Sequence, residues 1–269
     1  MIPEIIAEIG WNHMGDMDLA SKMIKAAKDS GADIAKFQTW QVSRLKSGEW
    51  DNDGRREIYQ NAELSKNAHE YLMDQCKKND IEFLSSAFSV EDAKLLASLK
   101  ISKIKVPSFE VNNFELLDYC KLNFEVIYIS TGTASKQEII ALNDFFMNWE
   151  GKLIVMHCVS AYPCESKNIN LPRISHLRDF FKNVGFSDHT QGIVSTISSL
   201  GLNPVTIEKH FTIDHNLPGR DNKFAILPKE MKELKNFLLI HEETMIDHGL
   251  NFQDIELPSR QDYRGRFDA

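Results

Sequence analysis

Ionisable and polar side chains recur at the ends of short apolar runs in this sequence. The first run ends AEIGWNHMGD, with Glu8, Asn12, His13 and Asp16; the second, AKFQT, carries Lys36 and Gln38. KVPSFE brings Lys105, Ser108 and Glu110, and STGT brings Ser130, Thr131, Gly132 and Thr133. HCVSAYP carries His157, Ser160 and Tyr162, SDHT carries Ser187, Asp188 and His189, and EKHF carries Glu208, Lys209 and His210. Lysine, glutamate and histidine inside a buried strand cost free energy unless they are paired or used. A single case would carry little weight, but repetition at run after run points to one shared site.

Two chemistries follow from the residue types. Lys36 and Lys105, with the hydroxyls of Ser108, Ser130 and Ser187 and the amides near Gly132, suit a carboxylate and a phosphate. The alternative for each lysine is a barrel-interior salt bridge to Glu8 or Glu110. His189 and His210, as neutral imidazoles, suit a divalent metal such as manganese, iron or zinc. Their alternative is a pair of hydrogen-bonded core histidines. Glu8 and Asp221 are candidates for a third ligand, direct or through water. His157 sits in an apolar run and reads equally well as structural. Cys158 beside it reads as a buried thiol rather than a nucleophile, since no separate base is evident.

These side chains need elements to hold them. Strand-like runs cover Ile5–Gly10, Ile34–Thr39, Glu82–Ala87, Lys103–Ser108, Val126–Thr131, Leu153–Ser160, Val184–His189 and Val205–Phe211. Helical periodicity covers Leu19–Ser30, Asn67–Lys78, Val90–Leu99, Phe114–Leu122, Lys136–Met147, Ile193–Leu200 and Lys229–His248. Alternation of strand and helix means a parallel sheet. Eight units in 269 residues fit a closed α/β barrel, the (β/α)8 TIM barrel, as a single domain spanning 1–269. A doubly wound sheet would show a glycine-rich fingerprint after its first strand, and Gly10 and Gly15 do not make one. Gln41–Lys66, Tyr162–Pro172 and Asp214–Pro228 read as long loops after strand ends, where such a barrel builds its site. From about Leu257 the chain reads as a short polar tail.

A net charge of −8 argues against nonspecific binding to nucleic acid. The four cysteines, Cys76, Cys120, Cys158 and Cys164, include no CxxC pair, which suits reduced thiols and a cytoplasmic location. No apolar run approaches the ~18 residues that a membrane span requires. The N-terminus carries Glu4 and Glu8 within its apolar stretch, unlike a signal peptide.

Taken together, AEIGWNHMGD, AKFQT, IKVPSFEVNNFELL, STGTAS, HCVSAYP, GFSDHT, IEKHF and LPGRD resemble the sialic acid synthase family. The resemblance runs in order from about Ile5 to about Pro228. It implies a (β/α)8 barrel that condenses phosphoenolpyruvate with an open-chain amino-sugar aldehyde, such as N-acetylmannosamine, to give a sialic-type acid and phosphate. It also implies a divalent metal, manganese by preference, with magnesium or cobalt as alternatives. The family's metal histidines match His189 and His210, and its phosphoenolpyruvate lysines match Lys36 and Lys105. Its phosphate-binding serines match Ser108, Ser130 and Ser187. Its catalytic glutamate matches Glu8, and its substrate-contacting positions match Gln38, Glu110, Tyr162 and Asp221.

Three departures stand out. The family's TPF after the third strand is Ser86-Ala87-Phe88 here, and some members carry Asn where Ser160 stands. Typical members continue into a C-terminal antifreeze-like domain, which this sequence does not include. In the family that domain places an arginine over the partner's sugar site; the alternatives here are that another chain, in a homodimer or as a separate partner, supplies it, that the tail from Arg260 to Arg266 replaces it, or that it is not needed. In the expected mechanism Glu8 is the acid/base, with Asp221 as second catalytic carboxylate, and Ser160 joins the substrate site. Rival readings are a 3-deoxy sugar-phosphate synthase, using Arg55, Arg56 and Arg220 for a second phosphate, a non-catalytic sugar- or partner-binding barrel, and a metal-dependent hydrolase.

Overall fold

Short apolar strands that are buried on both faces cannot stand at an open sheet edge, and here they close on themselves. A computed structural model describes residues 2–267. The strands are β1 (Glu4–Gly10), β2 (Ile34–Thr39), β3 (Glu82–Ala87), β4 (Lys103–Val106), β5 (Val126–Ser130), β6 (Lys152–His157), β7 (Val184–Asp188) and β8 (Thr206–His210). They pair in parallel in chain order, and β8 returns to β1 to close the barrel. The expected (β/α)8 barrel is therefore the fold.

Parallel ladders need long crossovers, and helices supply them. These are α1 (Met17–Asp29), α2 (Arg55–Ala62), α3 (Lys66–Lys78), α4 (Val90–Ser98), α5 (Phe114–Asn123), α6 (Lys136–Phe146), α7 (Arg173–Arg178), α8 (Val194–Ser199) and α9 (Pro228–Thr244), followed by α10 (Leu257–Tyr263). Side-chain oxygens of Asp16, Ser65, Ser89, Asn113 and Ser135 accept from backbone N–H groups in the first turns of α1, α3, α4, α5 and α6. Each cap satisfies a donor that the helix start leaves open.

Two apolar layers lie between sheet and helices. One joins Ile5, Ile9, Phe37 and Ile207 to Met23, Leu72 and Leu234; the other joins Ile104, Ile127 and Phe186 to Leu96, Leu117, Leu142 and Ile174. Inside the barrel, Ile6, Ile34, Leu84, Tyr128, Ile154 and Met156 form a separate plug. One layer further toward the strand C-termini the lumen turns polar. Glu8 is level with Lys36 on β2 and with His210 on β8, and Glu208 is level with Ser187 on β7. Because side chains alternate along a strand, Glu208 and His210 face the lumen while Lys209 faces the helices. There Lys209 meets Asp188 at 3.1 Å.

The structure departs from the sequence reading in several places. β4 stops at Val106, because Pro107 has no N–H to continue the ladder and Ser108–Glu110 turn as a 3-10 helix. β6 stops at His157 rather than Ser160, and β5, β7 and β8 each end one residue early. Two segments read as loop contain helix: α2 within Gln41–Lys66, and α10 in the tail. The helix α7 after Tyr162–Pro172 was not expected. The last long helix ends at Thr244, past its final buried contact at Leu238, and every described residue from Thr244 onward is exposed. Among the described residues, no helix is long and apolar enough to cross a membrane.

Candidate active site

The C-terminal mouth of the barrel holds a buried ion cluster. Lys36 Nζ lies 2.6 Å from Glu8 Oε2 and 3.5 Å from Glu208 Oε1, and it donates to Ser86 Oγ at 3.1 Å. Lys105 Nζ donates to Glu208 Oε2 at 2.9 Å. Gln38 Nε2 donates to Glu8 Oε1 at 2.5 Å, and Ser187 Oγ donates to Glu208 Oε1 at 3.3 Å. Both lysines are thus paired, as the salt-bridge alternative allowed, but Lys105 takes Glu208 and not Glu110. Glu208 carried no assigned role in the sequence, yet it ties the two lysines together. Ser86 keeps a hydroxyl on Lys36 where the family's threonine stands.

Burial sets the charge of this cluster. It pushes Glu8 up to about 7, against the opposing pull of Lys36. Burial acts on Glu208 in the same direction, but Lys105 and Lys36 outweigh it and hold that carboxyl below its usual range. Burial also opposes the Lys36 ammonium, and Glu208 and Glu8 more than offset it, so its pKa stands above the ordinary lysine value. Two lysines and two glutamates thus share the cluster, and proton uptake by Glu8 as pH falls through about 7 shifts it toward positive charge.

Beside the lysines, the turn after β5 forms a cradle. A Cβ on Gly132 would come within 2.2 Å of Ser160 Oγ, 2.8 Å of Cys158 Sγ and 2.9 Å of Ser108 Oγ. Only glycine lets the backbone approach so closely. The buried hydroxyls of Ser130 and Ser160 have no hydrogen-bond partner in the protein, so this pocket has donors to offer a ligand. Cys158 lies 3.0 Å from Ser108 Oγ, and burial pushes its thiol above the usual range. It is a protonated wall of the cradle, as the buried-thiol reading expected.

On the opposite side of the mouth the imidazole rings of His189 and His210 stand 5.5 Å apart. His189 Nδ1 donates to the Val159 carbonyl at 2.6 Å, which leaves Nε2 as a lone-pair donor. Burial pushes His189 down to about 4 and His210 well below its ordinary value, so both rings are neutral. His210 Nδ1 is buried without a hydrogen-bond partner and lies 3.5 Å from Asp221 Oδ2. Asp221 accepts from Trp11 Nε1 at 2.7 Å, and burial pushes its carboxyl up to about 6. Tyr162 stacks at 4.2 Å on His189 and stands edge-on to His210 at 5.8 Å. Among the described residues, no group of three His, Cys, Asp or Glu side chains is placed to enclose a metal ion. Two neutral imidazoles with one oriented nitrogen and one orphaned nitrogen fit a cation completed by water or substrate.

Some expected residues fall outside this constellation. The Glu110 carboxylate accepts from Asn113 Nδ2 at 2.8 Å, away from the lysines. His13 accepts from the Gly15 N–H at 3.0 Å and packs on Phe37. His157 faces the helix layer, where it bonds the Ile169 carbonyl at 2.7 Å and stacks on Phe186. Arg55 lies 2.6 Å from Asp53, Arg56 pairs with Asp51, and Arg220 donates to the Tyr162 carbonyl at 3.2 Å. Two of the three arginines proposed for a second phosphate are thus neutralised within their own loop.

A closed (β/α)8 barrel with paired lysines, two buried glutamates and neutral histidines at its C-terminal mouth has the layout of a barrel enzyme's active site. Comparison with known proteins narrows the class. Residues 23–248 match the NeuB family. An N,N'-diacetyllegionaminic acid synthase of Legionella pneumophila is 35% identical over 273 residues, covering 95% of this chain and 77% of that protein. The crystal structure of an N-acetylneuraminic acid synthetase from Leptospira borgpetersenii superposes with a TM-score of 0.88 at 30% identity, covering 99% of this chain and 94% of that one. A 3-deoxy-D-arabino-heptulosonate 7-phosphate synthase from Thermotoga maritima matches with a TM-score of 0.71 at 12% identity over 90% of this chain and 87% of that one, which speaks for the shared barrel alone. The chain belongs to the NeuB family, and the resemblance drawn from its motifs to sialic acid synthases holds.

Proposed function

We propose that this protein condenses phosphoenolpyruvate with an amino-sugar aldehyde to give a sialic-type 2-keto acid and phosphate. The observation that carries the reading is the Lys36–Glu8–Glu208–Lys105 cluster set beside the unsatisfied hydroxyls of Ser130 and Ser160. Lys36 and Lys105 would take the carboxylate and phosphate charges, with Ser108, Ser130, Ser160 and Ser187 as hydroxyl donors. Gln38, Tyr162 and Asp221 would border the acceptor. Holding both reactants in one mouth converts a bimolecular step into a local one. His189 and His210, with Asp221 alongside, would hold one divalent cation, manganese by preference, which when bound supplies Lewis acidity toward an oxygen of the substrate. The four cysteines are all free and buried, which suits a cytoplasmic enzyme.

The experiment is phosphate release from phosphoenolpyruvate with manganese and a panel of amino sugars. Sugar-dependent release that a chelator abolishes is the expected result. A chain that fails to bind phosphoenolpyruvate at all would sink the proposal.

Glu8 gives this reaction a pH signature. The aldehyde oxygen must gain a proton as the carbon–carbon bond forms, and neutral Glu8 would give it. kcat/KM is therefore expected to be level below about 7 and to fall above it, since the Glu8 pKa is raised to about 7. Glu8→Gln should remove that inflection and lower kcat/KM by about 10²–10⁴-fold. An unchanged inflection in the variant would assign it to another group. The same shift bears on folding: the Glu8 contribution is fully present below 4.5 and is lost as pH rises through about 7.

A further inference from the structure

The loop between β2 and α3 is built as a wall, and the wall faces the site. Its helix α2 is fastened at several points. Trp40 Nε1 donates to the Tyr59 carbonyl at 3.1 Å, and the Val42 N–H donates to Glu63 Oε2 at 2.8 Å. The Asn61 carbonyl sits over Gly15, whose φ of +86° favours glycine and where a Cβ would come within 2.1 Å of that oxygen. The Tyr59 ring is therefore held in place, half-buried, at the rim of the mouth. It rests on Trp11 at 5.6 Å between centroids and meets Trp40 edge-on at 5.9 Å. Trp11 in turn holds Asp221, the carboxylate next to His210. The Tyr59 hydroxyl lies within electrostatic range of Asp221 and Arg220. The aromatic wall is thus continuous with the catalytic mouth, one hydrogen bond away from it.

Resting on the reading of the site as a synthase, we infer that Tyr59, seated on Trp11, is a specificity-determining residue for the acceptor sugar. The uncovered part of its ring offers an apolar face beside the charged groups of Asp221 and Arg220. It stacks on methyl-bearing parts of the acceptor, the acetamido methyl or a deoxy-sugar methyl, while the polar groups of the mouth take the hydroxyls. A hydroxyl-only sugar offers that face only its C–H edges and gains less. Contacts of this size discriminate by roughly 10-fold or more. Tyr59 works by positioning the acceptor and carries no proton.

Non-reacting probes test this without turnover. The alditols of N-acetylmannosamine and of a diacetamido-trideoxyhexose, with mannitol as control, are titrated calorimetrically into the chain in the presence of phosphoenolpyruvate and manganese. The expected result is tighter binding of the acetamido alditols than of mannitol. Tyr59→Ala is expected to weaken acetamido binding about 10-fold, while Tyr59→Phe, which keeps the ring, binds as the wild type does. Phosphoenolpyruvate affinity should be equal in all three proteins, which also shows that the variants fold. Equal alditol affinity in Tyr59→Ala and wild type would overturn the inference, as would a Tyr59→Phe variant as impaired as the alanine. Wild-type chain that binds phosphoenolpyruvate but neither acetamido alditol would overturn it too. A failure to bind phosphoenolpyruvate is a separate outcome and overturns the reading of the site beneath it.

Discussion

Glu208→Ala is expected to lower the unfolding free energy by about 3–5 kcal/mol, and inorganic phosphate should recover much of that loss. Glu208 accepts from Lys105 and lies 3.5 Å from Lys36, and all three side chains are at most 6% exposed. Removing one partner of a buried ion pair leaves the others charged in a medium that cannot solvate them, and the penalty is about 3–5 kcal/mol. Glu8, whose pKa Glu208 itself helps to raise, ionises more readily in the variant and covers Lys36, which leaves Lys105 as the uncompensated charge. An anion that enters the cradle takes over the lost countercharge. At a hundredfold excess over its dissociation constant, such a ligand returns about 2.7 kcal/mol. Denaturant melts of wild type and variant, each with and without phosphate, measure both terms. A variant as stable as the wild type, with no larger response to phosphate, would show that Glu208 is not the counterion of this cluster.

The prominence of Glu208 also shows what the sequence could and could not convey. Eight apolar runs alternating with amphipathic stretches defined the barrel, because burial on both strand faces and the 3.6-residue helix period leave direct marks on residue order. Polar residues at the run ends marked the mouth for a related reason: a buried Lys36 or His210 must be paired or used. Their pairing was harder to read. EKHF places three polar residues in a row, and only strand parity separates the lumen-facing Glu208 and His210 from Lys209, which serves Asp188 on the helix side. The register that brings Lys105 of β4 across to Glu208 of β8, 103 positions on, is a property of barrel closure.

The helix α2 was illegible for a different reason. Of its eight residues only Ala62 is buried, so no apolar stripe announces it. It is held from outside its own sequence: Trp40 and Val42 after β2 bond to Tyr59 and Glu63, and Gly15 after β1 lies against the Asn61 carbonyl. Cys158 shows the same limit. A thiol next to His157 in sequence lies with Ser108 and Gly132 in space, because His157 points outward from the strand and the chain turns beyond it.

His210→Ala is expected to abolish metal-dependent turnover while leaving the fold intact or slightly more stable. The two halves of this prediction have one cause. In the protein alone the imidazole is buried, neutral and carries an unpartnered Nδ1. An unsatisfied buried polar atom costs roughly 1–3 kcal/mol, so its removal relieves the native state. The ring borders the mouth beside Tyr162, Phe224 and His189, and water can enter the space it leaves. Folds keep such a cost where the group has work to do, and under the proposed function that work is ligation. Losing even an outer partner of a ligand typically weakens metal binding 10–100-fold, so loss of a ligand itself should exceed about 10²-fold. Calorimetric titration with manganese reads the affinity, thermal melting reads the stability, and phosphate release reads the turnover. Asp221 stays anchored by Trp11 in the variant, so the loss cannot be assigned to a collapsed carboxylate. Full turnover with manganese bound at wild-type affinity would remove His210 from the metal site, and the orphaned nitrogen would then need another partner.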